Sequence, residues 1–86
     1  SATLVELFSW DEAEFLARTE GTAIRRIGHT CWLRNIAVAL GNAPHDDGVI
    51  AALAARRDHP SALVREHVDW ALQQHATAGA GKLPGR

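Results

Sequence analysis

The sequence predicts an all-α fold of about four to five helices, and three observations carry that expectation. Apolar residues make up 47% of the 86-residue chain, but they are mostly Ala and Leu, with only six Ile or Phe and no Tyr. Ala and Leu favour helix, whereas strands draw on β-branched and aromatic residues. Apolar positions also recur at three- and four-residue spacings in several segments, the period of one helix face. Glycine and proline divide those segments at Gly21, Gly28, Gly41 to Pro44 and Pro60.

Leu4, Val5, Leu7 and Phe8 begin an apolar pattern that Ser9 interrupts. Ser9 and Glu12 stand three residues apart, the spacing of a capping box, so a helix is expected from near Trp10 to near Thr19. Gly21 closes it in the left-handed region. Thr22 to Ile27 predicts a short helical turn before Gly28. Cys31, Trp32, Leu33, Ile36, Ala37, Val38 and Leu40 then give a face wide enough for a buried helix, stopped by Gly41-Asn42-Ala43-Pro44. Asp46 or Asp47 caps a helix of about three turns carrying Val49, Ile50, Leu53 and Ala54, which ends before Pro60. Pro60 suits the first position of a last helix on Leu63, Val64, His67, Val68, Ala71 and Leu72, running to about His75. One domain over 1–75 is expected, with 76–86 as a flexible, disordered tail of small residues and little to bury.

Composition narrows the function classes. A single cysteine, Cys31, cannot form an internal disulfide, and His29, His45, His59, His67 and His75 are too scattered to make short ligand pairs. No metal site is expected, and a reducing cytoplasm fits. No stretch reaches the roughly 18 uninterrupted apolar residues of a membrane span, so no membrane partner is expected. The net charge of −1 hides an uneven layout. Residues 1–20 hold Glu6, Asp11, Glu12, Glu14 and Glu20 against Arg18, whereas 21–44 hold Arg25, Arg26 and Arg34 and no carboxylate. A local basic surface can form without global basicity.

Two segments look alike, Trp32 to Gly41 and Leu63 to Leu72. Each sets an arginine one turn before a small apolar run ending in Ala-Leu, with the first one residue shorter. That pattern fits HEAT-type helical hairpins, which stack to share a core and leave one ridge for a partner. Ile24-Arg25-Arg26-Ile27-Gly28, then Trp32-Leu33-Arg34-Asn35-Ile36-Ala37-Val38-Ala39-Leu40-Gly41-Asn42, then Val64-Arg65-Glu66-His67-Val68-Asp69-Trp70-Ala71-Leu72, closely resemble the C-terminal end of epoxyqueuosine reductases. The resemblance extends upstream through Phe15 to Ala23 and covers roughly residues 4–75.

The resemblance implies a fragment of an enzyme that reduces the epoxide of epoxyqueuosine at the wobble position of certain tRNAs, using cobalamin and two 4Fe-4S clusters. It implies that the catalytic acid and the cofactor ligands belong to an N-terminal portion with no counterpart here. No catalytic, cofactor-binding or metal residue is therefore assigned in this chain. The implied partners are the tRNA anticodon region and the N-terminal catalytic domain of the same protein.

Arg25, Arg26, Arg34, Asn35 and Arg65 are the candidate tRNA contacts, since guanidinium groups pair bidentately with phosphates. Arg25 and Arg26 also fit a solvated surface pair, Arg34 stays open, and Arg65 fits a brace between helices through Glu66 or Asp69. Trp10, Trp32 and Trp70 fall in apolar stretches and suit the core, with room for one of them to stack on an unpaired base. Cys31 reads as a buried, inert thiol. The competing function is a HEAT-like module that docks its own catalytic domain or another protein without touching RNA.

Overall fold

Residues 2–80 are described by the computed structural model, and they form five α-helices and one 3-10 helix. The helices are α1 (Ala2–Phe8), α2 (Glu12–Arg18), α3 (Gly28–Gly41), α4 (Asp47–Ala54) and α5 (Ala62–Ala80), with the 3-10 helix at Ala23–Ile27 between α2 and α3. The all-α expectation holds, and the five helices match the expected number.

Each boundary has a local cause. The apolar run at 4–8 is a helix of its own, and Ser9 closes it: its N–H reaches the carbonyls of Val5 and Glu6 at 3.1 Å, and its hydroxyl donates to Glu6 at 2.6 Å. Ser9 is thus spent, and the expected start of α2 shifts. Asp11 caps it instead, its carboxylate accepting the Glu14 N–H at 2.8 Å. Gly21 and Gly28 have φ of 77° and 82°, a region that favours glycine, and they bracket the 3-10 turn. Of the two candidate caps for α4, Asp46 takes the Gly48 and Val49 amides.

Three expectations need correction. Helix α4 ends at Ala54, after about two turns, because Arg56, Arg57 and His59 bond three residues back and tighten the chain into turns. Pro60 precedes the cap of α5, where the Ser61 hydroxyl accepts the Val64 N–H at 3.4 Å. Helix α5 continues past His75 to Ala80, because Ala76, Ala78 and Ala80 extend a formed helix at low cost. Residues 81–86 of the expected tail lie outside the described residues.

The main core cluster draws on four of the five helices. Phe8 of α1, Leu33, Ile36, Ala37 and Leu40 of α3, Val49 and Leu53 of α4, and Val64, Val68 and Ala71 of α5 pack together. Fully burying one such large aliphatic side chain stabilises the fold by about 1.5–3 kcal/mol. Helices α3 and α5 make the principal contact and run in the same direction: Val38 lines one groove with Glu66, His67 and Trp70, Gly41 meets Trp70 and Ala71, Leu40 accepts a hydrogen bond from His75, and the His45 and His75 rings lie 5.8 Å apart. A Cβ on Gly41 would lie 3.0 Å from the Ala71 backbone and 2.5 Å from the Trp70 ring, so glycine permits this close crossing.

The carbonyls at the end of α1 are taken by residues distant in sequence. Trp32 Nε1 donates to Leu7 at 3.2 Å, while Arg56 reaches Phe8 at 3.1 Å and Trp10 at 2.9 Å. His29 Nε2 also donates to Trp10, at 2.7 Å. Burial lowers the pKa of Arg56 and nearby Asp11 opposes that shift, but guanidinium stays charged. A cation is favoured at a helix C-terminus.

Candidate nucleic-acid interface

The 3-10 helix presents its residues outward. All five are exposed, and Ile24 and Ile27 keep 47% and 44% of their surface. Arg25 and Arg26 lie between them, and among the described residues neither side chain makes an ion pair or hydrogen bond, although the Arg25 carbonyl accepts the Gly28 N–H. Two unspent guanidiniums, ten donors in all by the side-chain inventory, stand on a short turn held at both ends by glycine.

The other three candidates differ. Arg34 is half-buried on α3, and its Nε donates to the exposed Asn35 side chain at 2.8 Å, so part of its fork remains available. Arg65 is exposed, but its guanidinium reaches back to the carbonyls of His59 and Pro60 at 2.7 and 2.9 Å. It braces the α4–α5 connection through backbone oxygens, and neither Glu66 nor Asp69 pairs with it. Glu14–Arg18, at 2.6 Å, is the ion pair among the described residues. Arg25 and Arg26 thus share one exposed turn, Arg34 and Asn35 form a second pair about two turns into the next helix, and Arg65 is committed to its own loop.

The tryptophans also separate. Trp10 and Trp32 stack with centroids 5.6 Å apart and planes 9° from parallel, and Phe15 tilts against Trp32 at 5.3 Å. Trp70 remains 36% exposed. It lies off the buried line Val64, Val68, Ala71, His75 and on the polar line Glu66, Gln73, Thr77, a pattern that is readable from helix periodicity.

Sequence reasoning did not find Arg56 or His75. Their partners lie 35 to 48 residues away, and no local pattern reveals such contacts. A polar cleft of about 400 Å³ lies beside Arg56 and the α2 cap, lined by Asp11, Glu12, His29, Thr30, Arg56, His59 and Pro60. His59 Nδ1 accepts the Ser61 N–H at 3.0 Å, so this nitrogen is unprotonated. Burial, then Arg56, His29 and Arg65, lower the His59 pKa. Cys31 is half-buried rather than buried.

Among the described residues no group of three or more His, Cys, Asp or Glu is placed to hold a metal ion, and no helix is long and apolar enough to cross a membrane. A 4Fe-4S cluster needs four cysteine ligands, so the single Cys31 does not fit one.

The chain is similar to proteins named epoxyqueuosine reductase. It is 70% identical over 74 residues to that of Xanthomonas campestris pv. campestris, covering 86% of the chain and 21% of the relative. It is 61% identical over 75 residues to that of Pseudomonas aeruginosa, covering 87% and 21%. It is 60% identical over 72 residues to that of Escherichia coli, covering 83% and 18%. The chain therefore spans about a fifth of the length of these curated relatives. No protein-family model and no solved structure matches it.

Proposed function

We propose that this chain, which belongs to the epoxyqueuosine reductase family as one segment of it, is the part of such a reductase that holds tRNA by its backbone near the anticodon. The observation that carries this reading is the exposed 3-10 turn with Arg25 and Arg26 unspent, inside a stretch, 21–44, with no carboxylate. Phosphates repay unpaired guanidiniums with charge-assisted, bidentate bonds. Arg34 and Asn35 extend the contact along α3, and Arg65 adds charge from the start of α5. The parallel α3–α5 pair, formed by the two look-alike segments, supports a HEAT-like stack as the scaffold.

The reduction of epoxyqueuosine, with the cobalamin and iron–sulfur clusters the resemblance implies, belongs in this reading to the rest of a cytoplasmic parent protein. The residues present here do not fit those groups, and no chemical step is assigned to them.

Fluorescence anisotropy of a labelled anticodon stem-loop, titrated with the chain at two salt concentrations, tests the reading. Binding that weakens with salt is expected, with Arg25→Ala/Arg26→Ala lowering the slope of log affinity against log salt by about 1.4 to 1.8, for two lost phosphate contacts. Unchanged binding in the double variant rejects this assignment.

A second reading has its own observation. Ile24 and Ile27 are exposed apolar residues on the same turn, and they suit docking of the parent's catalytic domain without RNA. Binding to that domain alone, insensitive to salt and lost in Ile24→Ser/Ile27→Ser, would favour it.

A further inference from the structure

Trp70 has an exposed ring and, among the described residues, an indole N–H without a hydrogen-bond partner. It lines a groove of about 390 Å³ together with Glu66 and His67 of the same helix and Val38 of α3. Glu66 and Trp70 are four residues apart, so they share one face of α5. The Glu66 carboxylate is exposed and pairs with no cation among the described residues. His67 donates from Nδ1 to the Leu63 carbonyl at 2.8 Å, which leaves Nε2 of the neutral ring as an acceptor. An apolar floor, an aromatic ring and two acceptors thus converge on one open groove.

A carboxylate accepts two hydrogen bonds side by side and donates none. Among the common bases only guanine presents two adjacent donors, N1–H and N2–H, on its pairing edge. Adenine and cytosine place a ring acceptor beside the amino group, and uracil flanks its single N–H with carbonyls. Aromatic side chains stack on unpaired bases of any kind, so Trp70 supplies affinity and Glu66 supplies choice. Arg34 lies one turn before Val38 on the same stripe of α3 and keeps donors beyond the one it gives Asn35. Arg34 does not line the groove, but a side chain of its length one turn away can bring its charge to a phosphate there and offset Glu66.

We infer that this groove is a seat for a single unpaired nucleotide with a guanine-type edge, stacked on Trp70, read by Glu66 and held at its phosphate by Arg34. The assignment to RNA rests on the function proposed above, but the seat is testable without it. The chain, labelled with ¹⁵N, is titrated with guanosine monophosphate and separately with adenosine monophosphate, following the Trp70 indole signal, which is identified by its loss in Trp70→Phe. The guanine nucleotide is expected to shift that signal and Val38 at concentrations about tenfold lower than the adenine nucleotide. Glu66→Gln should remove the difference between them, Trp70→Ala should weaken both about tenfold, and Arg34→Ala should weaken the nucleotide but not guanosine.

Equal response to both nucleotides, or shifts away from the α3–α5 groove, overturns the seat. If the stem-loop binds while Glu66→Gln and Trp70→Ala leave its affinity unchanged, the seat fails and the backbone-holding reading stands. If guanosine monophosphate binds selectively and the stem-loop does not bind, the reading fails and the seat stands.

Discussion

Replacing Arg56 with Met removes the side chain that ties the end of α4 to the end of α1, while keeping most of its apolar stem. Arg56 reaches the Phe8 carbonyl through Nε and Nη2 at 3.3 and 3.1 Å, and the Trp10 carbonyl through Nη2 at 2.9 Å. The Trp10 oxygen keeps His29 at 2.7 Å after the change, so the Phe8 oxygen carries the loss. A hydrogen bond to a charged group contributes about 1.5–3 kcal/mol net. Arg56 is half-buried, so water repairs part of the deficit and the lower end, about 1.5 kcal/mol, is expected. At a urea dependence of about 1 kcal/mol per molar for a small domain, the unfolding midpoint should fall by about 1.5 M. Tryptophan fluorescence reads the transition, because Trp10 and Trp32 stack directly beside this junction. Arg56→Lys keeps the charge without the planar fork and should fall between parent and Met variant. A midpoint for Arg56→Met within about 0.3 M of the parent would refute the assignment of Arg56 as the clasp between α1 and α4.

The remaining predictions concern the α3–α5 contact and the cleft. Gly41→Ala forces a methyl group against the Ala71 backbone and the Trp70 ring, and should cost about 1–3 kcal/mol in urea unfolding with a shift in Trp70 emission. His75→Phe removes the buried bond from Nε2 to the Leu40 carbonyl at 2.7 Å, but that oxygen keeps the Ala43 N–H at 3.2 Å. A loss of about 1 kcal/mol by the same assay is therefore expected. The lowered pKa of His59 makes its contribution to stability complete above the ordinary histidine value, near 6.5, and lost as pH falls from there through the folded value. Unfolding midpoints compared at pH 7.5 and pH 5 should show this fall, and His59→Gln should shrink it; an identical pH dependence in the variant contradicts the role of Nδ1 as acceptor.

Much of the fold is legible in the sequence because its signals are local. Helix α3 reads from one apolar face and the Gly41 to Pro44 stop, and α4 from an aspartate before Val49. The start of α2 is harder, because Ser9 with Glu12 and Asp11 with Glu14 offer two capping patterns two residues apart. Ser9 closes α1, which leaves Asp11 to open α2, and that choice depends on α1 being a separate helix. The end of α5 is misjudged for a related reason: small residues that bury little can still extend a helix that is already formed.

The candidate interface is legible in part. The charge layout alone marks Arg25, Arg26 and Arg34, but it does not separate free guanidiniums from committed ones. Arg65 looks equivalent to Arg34 in the repeat, yet it bonds two carbonyls of its own loop, which no pattern of residue types reveals. Trp70 was within reach, since its place on the line of Glu66, Gln73 and Thr77 sets it outside the buried stripe.

The central claim is that the 3-10 turn faces RNA, and mapping the amide signals of ¹⁵N-labelled chain during titration with an anticodon stem-loop tests it most directly. The account predicts the largest changes at Arg25, Arg26 and Gly28, continuing to Arg34 and Asn35, and fading as salt is raised. Changes concentrated instead on the groove between α1 and α4, around Val5, Ala51 and Ala55, or no change at low salt, would contradict it.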